Sequence, residues 1–375
     1  MMPQKRASDD LPLPARRRAA TIGDVARLAG CSKGVVSAVV NQARGNIAVS
    51  AATRRRVLAA AQELGYRPNF ASQSLFRRST RTVGIYAPPE ASSSLGYPYE
   101  GRILCGIERA CREHGYDLLA LNLTGPIAPA QCAARLAEGR VDGVILIQVP
   151  HDAAWPDVLL RQTSNLVAVN YYGAAALDTV RFDDRTAAAL AVRHLAALGH
   201  RRIGYIGAAH HDLGPGQGLR CHGYLDAMAG LGLPVAPAWV WDLSCARPGT
   251  VATAGWDLAE AAAGADQMLE LGAERPTALL FYDDGLAAVA IQRLAERGVR
   301  VPQDISVVGI DDSEIARLTY PRLTSVRQPL EDMGHRATQL LLAKAAPPAA
   351  AAGACELWPP DLVVRQSSAP PPPAG

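Results

Sequence analysis

The chain has 375 residues, too many for one small core and suited to two or three domains. Its net charge of +3 hides an asymmetry: residues 1–81 carry 15 Lys and Arg against 4 Asp and Glu, and the remainder 23 against 31. A basic head on an acidic body is suited to a polyanion, and no run approaches the ~20 uncharged apolar residues that a membrane span needs.

Residues 1–20 mix Pro, Asp and Arg without period and read as a disordered basic arm. They lack the apolar stretch of a signal peptide. Seven scattered cysteines with no CxxC pair point to a reduced compartment. The expected location is therefore cytoplasmic, at the nucleoid.

Thr21, with Asp24 three residues on, opens a first helix through Val25, Ala26, Leu28 and Ala29. Gly30 supplies a left-handed turn residue. Ser32 caps a second helix over 33–40, which completes a helix-turn-helix layout. Ser50 or Ala51 opens a third helix to about Leu64, whose face Val57, Leu58, Ala61 and Leu64 packs on the first two; Gly65 ends it. After the break at 66–69, residues 70–76 form a short helix, marginal alone and expected to fold only on a partner.

From residue 82 the chain alternates apolar runs with amphipathic stretches. Strands are expected at 82–87, 143–148, 166–170, 203–207, 278–282 and 306–310, and helices at 101–114, 186–198, 219–231 and 286–297. This order implies parallel sheets with helices on both faces, in two doubly wound halves. Ligands of such sheets sit at the carboxyl ends of the strands. The segment near 343–354 is Ala/Pro-rich, and the closing SSAPPPPAG reads as a low-complexity tail.

Enzyme chemistry finds little support. No GxSxG, Walker A loop or HExxH occurs. The pairs Asp183-Asp184, Asp283-Asp284 and Asp311-Asp312 are neighbours in sequence, not convergent carboxylates. Asp284 and Asp312 read as caps of the helices that follow. The glycines of 214–218 do not make GxGxxG at a strand–helix turn, and His210-His211 read as loop. No catalytic residue, metal or cofactor is expected.

The runs TIGDVARLAGCSKGVVSAVVN, VSAATRRRVLAAAQELGYRPN and ASQSL resemble the head of the lactose/galactose repressor family. LAALGHRRIGYIG, RPTALLFYDDGLAAVAIQRLAERGVRVPQDISVVGIDD and YPRLTSVRQPLEDMG resemble its body, and LVVRQSS its last strand. The resemblance covers about 21–345 and is specific because the phrases keep their order. It implies an all-α helix-turn-helix head with a hinge helix, joined to a two-lobed α/β body like periplasmic binding proteins.

For the head, the resemblance places the second helix in the major groove, with Lys33, Gly34 and Ala38 at reading positions. Lys33 can donate to guanine, and Ala38 can touch a thymine methyl. Relatives commonly carry Arg in place of Ala38 and Thr in place of Val35, so the operator code departs from theirs. Ser32, Ser37 and Asn41 are candidate phosphate contacts, and Arg54, Arg55 and Arg56 form a basic turn. The hinge is implied at Asn69, Ser72 and Leu75, with Leu75 as the minor-groove wedge.

For the body, it implies an effector cleft lined by Arg220, Asp283 and Asp311, with Tyr97 and Tyr99 as stacking groups and Asn170 and Asp183 as weaker candidates. Carboxylates and a guanidinium suit a hydroxyl-rich ligand, a sugar by default. Trp241 or Trp256 is a guess for an aromatic wall. The expected division is 1–20 arm, 21–65 DNA-binding head, 66–81 hinge helix and linker, 82–345 effector and dimerisation body, and 346–375 C-terminal segment. The expected function is a repressor that binds a palindromic double-stranded DNA operator as a homodimer or tetramer and answers to a small effector. The rival readings are a solute-binding protein and a carbohydrate-acting enzyme on a similar two-lobed fold.

Overall fold

The computed structural model describes residues 19–41, 49–77, 79–87, 98–121, 133–134, 136–147, 155–161, 163, 165–173, 176–208, 218–243, 258–344 and 353–373. The arm up to residue 18, Tyr97, His210-His211, residues 214–217, Trp256 and the run 345–352 lie outside the described residues. The chain divides into two units, Met1–Thr80 and Arg81–Gly375.

The first unit holds α1 (Ile22–Ala29), α2 (Lys33–Val40), α3 (Ala51–Glu63) and α4 (Phe70–Arg77). The first three start where a hydroxyl can accept an orphan amide. Thr21 accepts from the Asp24 amide, and the Asp24 carboxylate accepts from the Thr21 amide at 2.9 Å, a complete capping box. Ser32 and Ser50 accept from the Val35 and Thr53 amides at 3.3 and 3.2 Å. Gly30, with φ 63°, ends α1 in the left-handed region and lets α2 leave at once.

The head core is Val25, Ala26, Ala29, Val36, Val39, Val57 and Ala60. The face expected on α3 is corrected at two positions: Leu58 is 50% exposed and Leu64 37%, while Ala60 is buried. Residue 58 stands ~100° around the helix from residue 57, so the stripe that contains Val57 takes in 60 and 61 instead. The α4 segment is helical, with a Ser74 hydroxyl donating to the Phe70 carbonyl at 3.0 Å. Phe70 and Phe76 remain half exposed on it.

The second unit contains β1 (Thr82–Tyr86), α5 (Pro98–His114), β2 (Asp117–Ala120), β3 (Gly143–Ile147), α6 (Trp155–Leu160), β4 (Leu166–Val169), β5 (Asp178–Phe182) and α7 (Asp184–Ala197). There follow β6 (Ile203–Gly207), α8 (Leu219–Gly230), β7 (Val240–Asp242), α9 (Leu258–Glu270), β8 (Ala278–Phe281), α10 (Asp284–Glu296) and β9 (Ser306–Asp311). Last come α11 (Glu314–Leu318), β10 (Thr324–Arg327), α12 (Leu330–Lys344), β11 (Cys355–Trp358) and β12 (Asp361–Val363).

Two six-stranded sheets result, ordered β11-β5-β4-β3-β1-β2 and β12-β10-β9-β8-β6-β7. All pairs are parallel except β10 with β12. Central strands such as β3 (GVILI) and β4 (LVAV) are buried throughout, as parallel strands covered on both faces must be. The six strands expected from the apolar pattern are all present, and β12 falls on the start of the LVVRQSS run that the resemblance gave as a last strand; β2, β5, β7, β10 and β11 are additional. The added strands are short, and several carry polar or charged residues, so no apolar run marks them.

The chain changes lobe after β5, after β10 and between β11 and β12. Thus α7 packs on α8 in the second lobe, while α12 returns to pack on α5 and on β3, β4 and β5 of the first. The α5–α12 crossing is backbone against backbone. A Cβ on Gly106 would fall 1.8 Å from the Glu331 carbonyl oxygen, and one on Gly334 would fall 2.2 Å from that of Ile103. Gly223 does the same between α8 and α7, where a Cβ would meet the Arg185 carbonyl at 2.1 Å.

The C-terminal segment is not a tail through its described length, which corrects the reading from composition. It supplies one edge strand to each sheet, and Ser367 donates to the Val307 carbonyl at 2.6 Å and accepts from the Thr324 amide at 2.8 Å. Backbone pairing of this kind needs no apolar pattern to announce it. Among the described residues no helix is long and apolar enough to cross a membrane, and no cluster of potential metal ligands occurs.

Candidate functional site

In the head, Ser32, Lys33 and Gly34 lie exposed at the start of α2, Ser37 and Ala38 are half-buried, and Val36 and Val39 face the core. Ser32 uses its hydroxyl as the helix cap. The Lys33 stem lies along Gly23, where a Cβ would come 3.3 Å from its Cε. Around Gly34 there is open space: a Cβ would meet only Ser32 Oγ, at 3.8 Å. Asn41 donates to Ser37 Oγ at 3.2 Å, and its Oδ1 is buried without a hydrogen-bond partner. Arg54, Arg55 and Arg56 are exposed on the first half of α3. Asn69 and Ser72 are exposed at and within the start of α4. Leu75 lies on that helix, and its side chain is outside the described residues.

In the body, five of the seven candidate effector residues come together between the lobes: Tyr99, Asn170, Arg220, Asp283 and Asp311. Arg220, in the first turn of α8, is buried. Its Nε donates to Asp184 at 2.7 Å, Nη1 donates to the Tyr282 carbonyl, and Nη2 reaches Asp311 and Gln328 at 3.4 Å each. The guanidinium carbon stands 4.4 Å over the Tyr282 ring. From the first lobe, Asn170 Nδ2 donates to the Tyr99 hydroxyl, which also receives Gln328 Nε2 at 3.4 Å. The Tyr172 hydroxyl donates to the other oxygen of Asp184. A continuous polar chain therefore runs from Asn170 and Tyr99 through Gln328 to Arg220, Asp184 and Tyr172.

Strain gathers at the same place. Asn170, Asp311 and Asp312 have φ of 54°, 115° and 46°, and the conformation of Asp311 costs on the order of 1–3 kcal/mol. Contacts from the other lobe hold it. Arg102 of α5 donates to the Asp311 carbonyl at 2.9 Å and to the Gln328 carbonyl at 3.2 Å, while it forks onto Glu331 at 2.8 and 3.0 Å.

The paired carboxylates divide their work differently from the sequence reading. Asp283, not Asp284, caps α10, accepting the Leu286 amide at 2.8 Å. Asp284 is buried and accepts from the Ser313 amide, the Ser313 hydroxyl and the Ser325 hydroxyl. Asp312 caps no helix either; Arg327 at 2.8 Å and Arg365 hold it. The reason is the sharp turn after each strand: extended backbone at residue 283, with φ −145°, makes it the cap and turns Asp284 inward. Asp183 accepts the Thr186 amide at 3.0 Å as the cap of α7. Trp241 lies on β7 against Gly264 of α9, in the outer core of the second lobe, and is no wall of this cluster.

Burial dominates the titration of the cluster. It pushes the Asp311 carboxyl up to about 8; Arg220 opposes the rise, and Asp284, Asp283 and Asp184 add to it. Burial raises Asp283 too, against the Leu286 amide and Arg220, and takes Asp284 to about 6. Asp312 goes the other way: burial alone would raise it, but hydrogen bonds from Arg365 and Arg327 bring it below the usual carboxylate range.

Sequence reasoning missed Asp184, Tyr172, Tyr282, Gln328 and Arg102. Gln328 and Asp184 carried a usable signal, since the one directly follows β10 and the other opens the helix two residues past β5, both at points where the chain changes lobe.

Comparison with known proteins agrees with this architecture. The family of bacterial regulatory proteins, lacI family, matches residues 21–69, and the periplasmic binding protein-like domain matches residues 192–368. An HTH-type transcriptional repressor PurR of Photobacterium profundum is 30% identical over 328 residues, which span 87% of this chain and 92% of the relative. Among solved structures, a lac repressor dimer bound to operator and the anti-inducer ONPF superposes with a TM-score of 0.77 at 28% identity, covering 94% of this chain and all of the other (100%). A complex of the transcriptional regulator CelR with cellobiose gives 0.65 at 28% identity, covering 93% and 99%.

Proposed function

This chain belongs to the lacI family of bacterial regulatory proteins, and we propose that it is a repressor which binds a palindromic operator as a dimer and is switched by a small polar effector held between its lobes. Its relatives are transcriptional repressors rather than enzymes. The observation that carries the effector reading is the convergence on Arg220 of groups from both lobes and from two of the lobe crossovers. A ligand that replaced any link of that chain would bias how the lobes sit, which is what a population switch requires. The sugar expected from the sequence fits the donors and acceptors present, and the cellobiose complex of CelR supports that choice.

The output would leave through Arg81, at the start of the body. Its amide donates to Asp142 at 2.9 Å, its carbonyl accepts from the Asp117 amide at 2.8 Å, and its φ is 49°. A shift of lobe geometry there that changes operator occupancy about a hundredfold needs only ~2.7 kcal/mol of coupling.

The deciding experiment is a DNase footprint beside the chain's own gene at moderate salt. A protected palindrome is expected, with affinity about 10- to 100-fold lower for Lys33→Ala. Absence of any protected site sinks the reading. Catalytic turnover of a bound sugar, lost in Asp283→Ala, would favour the enzyme rival instead.

A further inference from the structure

Resting on the effector site above, we propose that Arg102 is the interlobe latch of the switch. It holds the carboxyl ends of β9 and β10 from the first lobe, touches no effector itself, and sets the lobe arrangement that an effector meets.

The geometry is that of a clamp with one fixed jaw. α5 and α12 pack together in the first lobe, backbone on backbone at Gly106 and Gly334. Arg109 with Asp332 and His335 with Glu113, each at 2.8 Å, tie the same two helices further along. Arg102 of α5 forks onto Glu331 of α12 with Nε and Nη2, so its guanidinium plane is fixed to this pair. Side chains exposed to 22% and 41% gain little stability from the fork itself. What the fork supplies is aim. With it made, Nη1 and Nη2 donate to the carbonyls of Asp311 and Gln328 in the direction of the second lobe.

Those two carbonyls stand at the ends of neighbouring strands. β9 and β10 pair in register up to Asp311 and Arg327, and the side chains of Asp311 and Gln328 both reach Arg220. The second lobe grips the same edge one residue on. The Asp312 amide donates to Ser325 Oγ at 3.0 Å, and Arg327 and Arg365 hold the Asp312 carboxylate. The positive φ of residues 311 and 312 therefore lies between two anchors, one in each lobe. Such a conformation persists only where its surroundings over-determine it. Parting or rotation of the lobes breaks the bonds from Arg102 and releases the strain in the same step, which makes the arrangement two-state rather than graded. All three Arg102 nitrogens are engaged, and those that face the second lobe bind backbone. The residue thus acts on a ligand only through the aim of Asp311 and Gln328. Tyr99, one turn earlier on α5, takes its bond from Gln328 and shares that alignment.

The test is hydrogen exchange of the purified full chain without ligand, read by mass spectrometry on wild type, Arg102→Met, Arg102→Lys and Glu331→Gln. Arg102→Met should speed exchange of the amides of 312, 313 and 330 on the order of tenfold, and leave α5 and α12 beyond their first turns unchanged. Arg102→Lys, which can reach one carbonyl but cannot fork, should fall between. Glu331→Gln, which loosens only the aim, should move the same amides less. Exchange that rises equally along α5 and α12 would make Arg102 a plain contact between helices. Unchanged exchange at 312 and 313 would mean that nothing is latched. Either result overturns the proposal. Calorimetric titration with cellobiose, glucose and ribose separates the latch from the effector reading. Arg102→Met should weaken every sugar that wild type binds by a similar factor, about tenfold, and keep their order. A changed order would make Arg102 a ligand contact and overturn the proposal. No binding to wild type would count against the sugar effector alone, with the latch still decided by exchange.

Discussion

In the head, each device that sets local structure lies within four residues of the group it serves. Thr21 and Asp24 cap one another, Ser32 caps at Val35, and Ser50 at Thr53. In the body, the groups that meet at Arg220 stand 36 residues away at Asp184, 91 at Asp311 and 108 at Gln328. Head stability is therefore a sum of small separable terms, whereas the interlobe cluster is one coupled object.

The largest effect that probes this contrast is at Arg220. Arg220→Met keeps much of the side-chain volume but leaves Asp184 and Asp311 without their shared cation. It should destabilise the body by ~3–5 kcal/mol in urea unfolding. Adding Asp184→Asn should restore part of that loss, a coupling of ~1–3 kcal/mol. Strictly additive losses would show that the cluster is not one object. Next in size is Gly106→Ala. Its Cβ would fall 1.8 Å from a backbone oxygen, which no rotamer change can relieve. A loss of ~1–3 kcal/mol is expected, with Gly223→Ala as the matching change in the second lobe. Unchanged melting of Gly106→Ala would mean that α5 and α12 can separate freely.

The same contrast explains what sequence could and could not convey. The caps of α1, α2 and α3, the turn at Gly30 and the central strands were legible because their causes are local. The division of labour between Asp283 and Asp284 was not. Both follow a strand and both can cap, and only the backbone angle at residue 283 decides which one turns inward. Gln328 is marked only by its place after β10; its role arises because α5 delivers Tyr99 and α8 delivers Arg220 to the same point. The strand at Cys355–Trp358 was hidden, and that at Asp361–Val363 was marked only by the family resemblance, for a related reason. Each borrows its order from an existing sheet edge, through bonds to residues far away in sequence.

A smaller, local effect is expected at Thr21. Thr21→Ala removes the acceptor for the Asp24 amide from the capping box and should cost about 1 kcal/mol of head stability. The body transition in the same melt should not move. A shift of both transitions would show that the head is not a separable sum.

Smallest, and opposite in sign, is Gly34→Ala. Glycine within a helix costs ~1 kcal/mol relative to alanine, and at residue 34 a methyl would meet nothing nearer than 3.8 Å. On structure alone the substitution stabilises the head, by ~0.4–1 kcal/mol, read as a rise of a few degrees in its melting temperature. If residue 34 sits at base edges, as its place at the exposed start of α2 implies, the methyl occupies space that the operator needs. Affinity in a gel-shift titration should then fall while the melting temperature rises. A rise in both would show that residue 34 does not approach DNA, and reading would then rest on Lys33 and the half-buried Ala38. A head whose stability and affinity move in opposite directions would locate its coupling in the operator rather than in its own core.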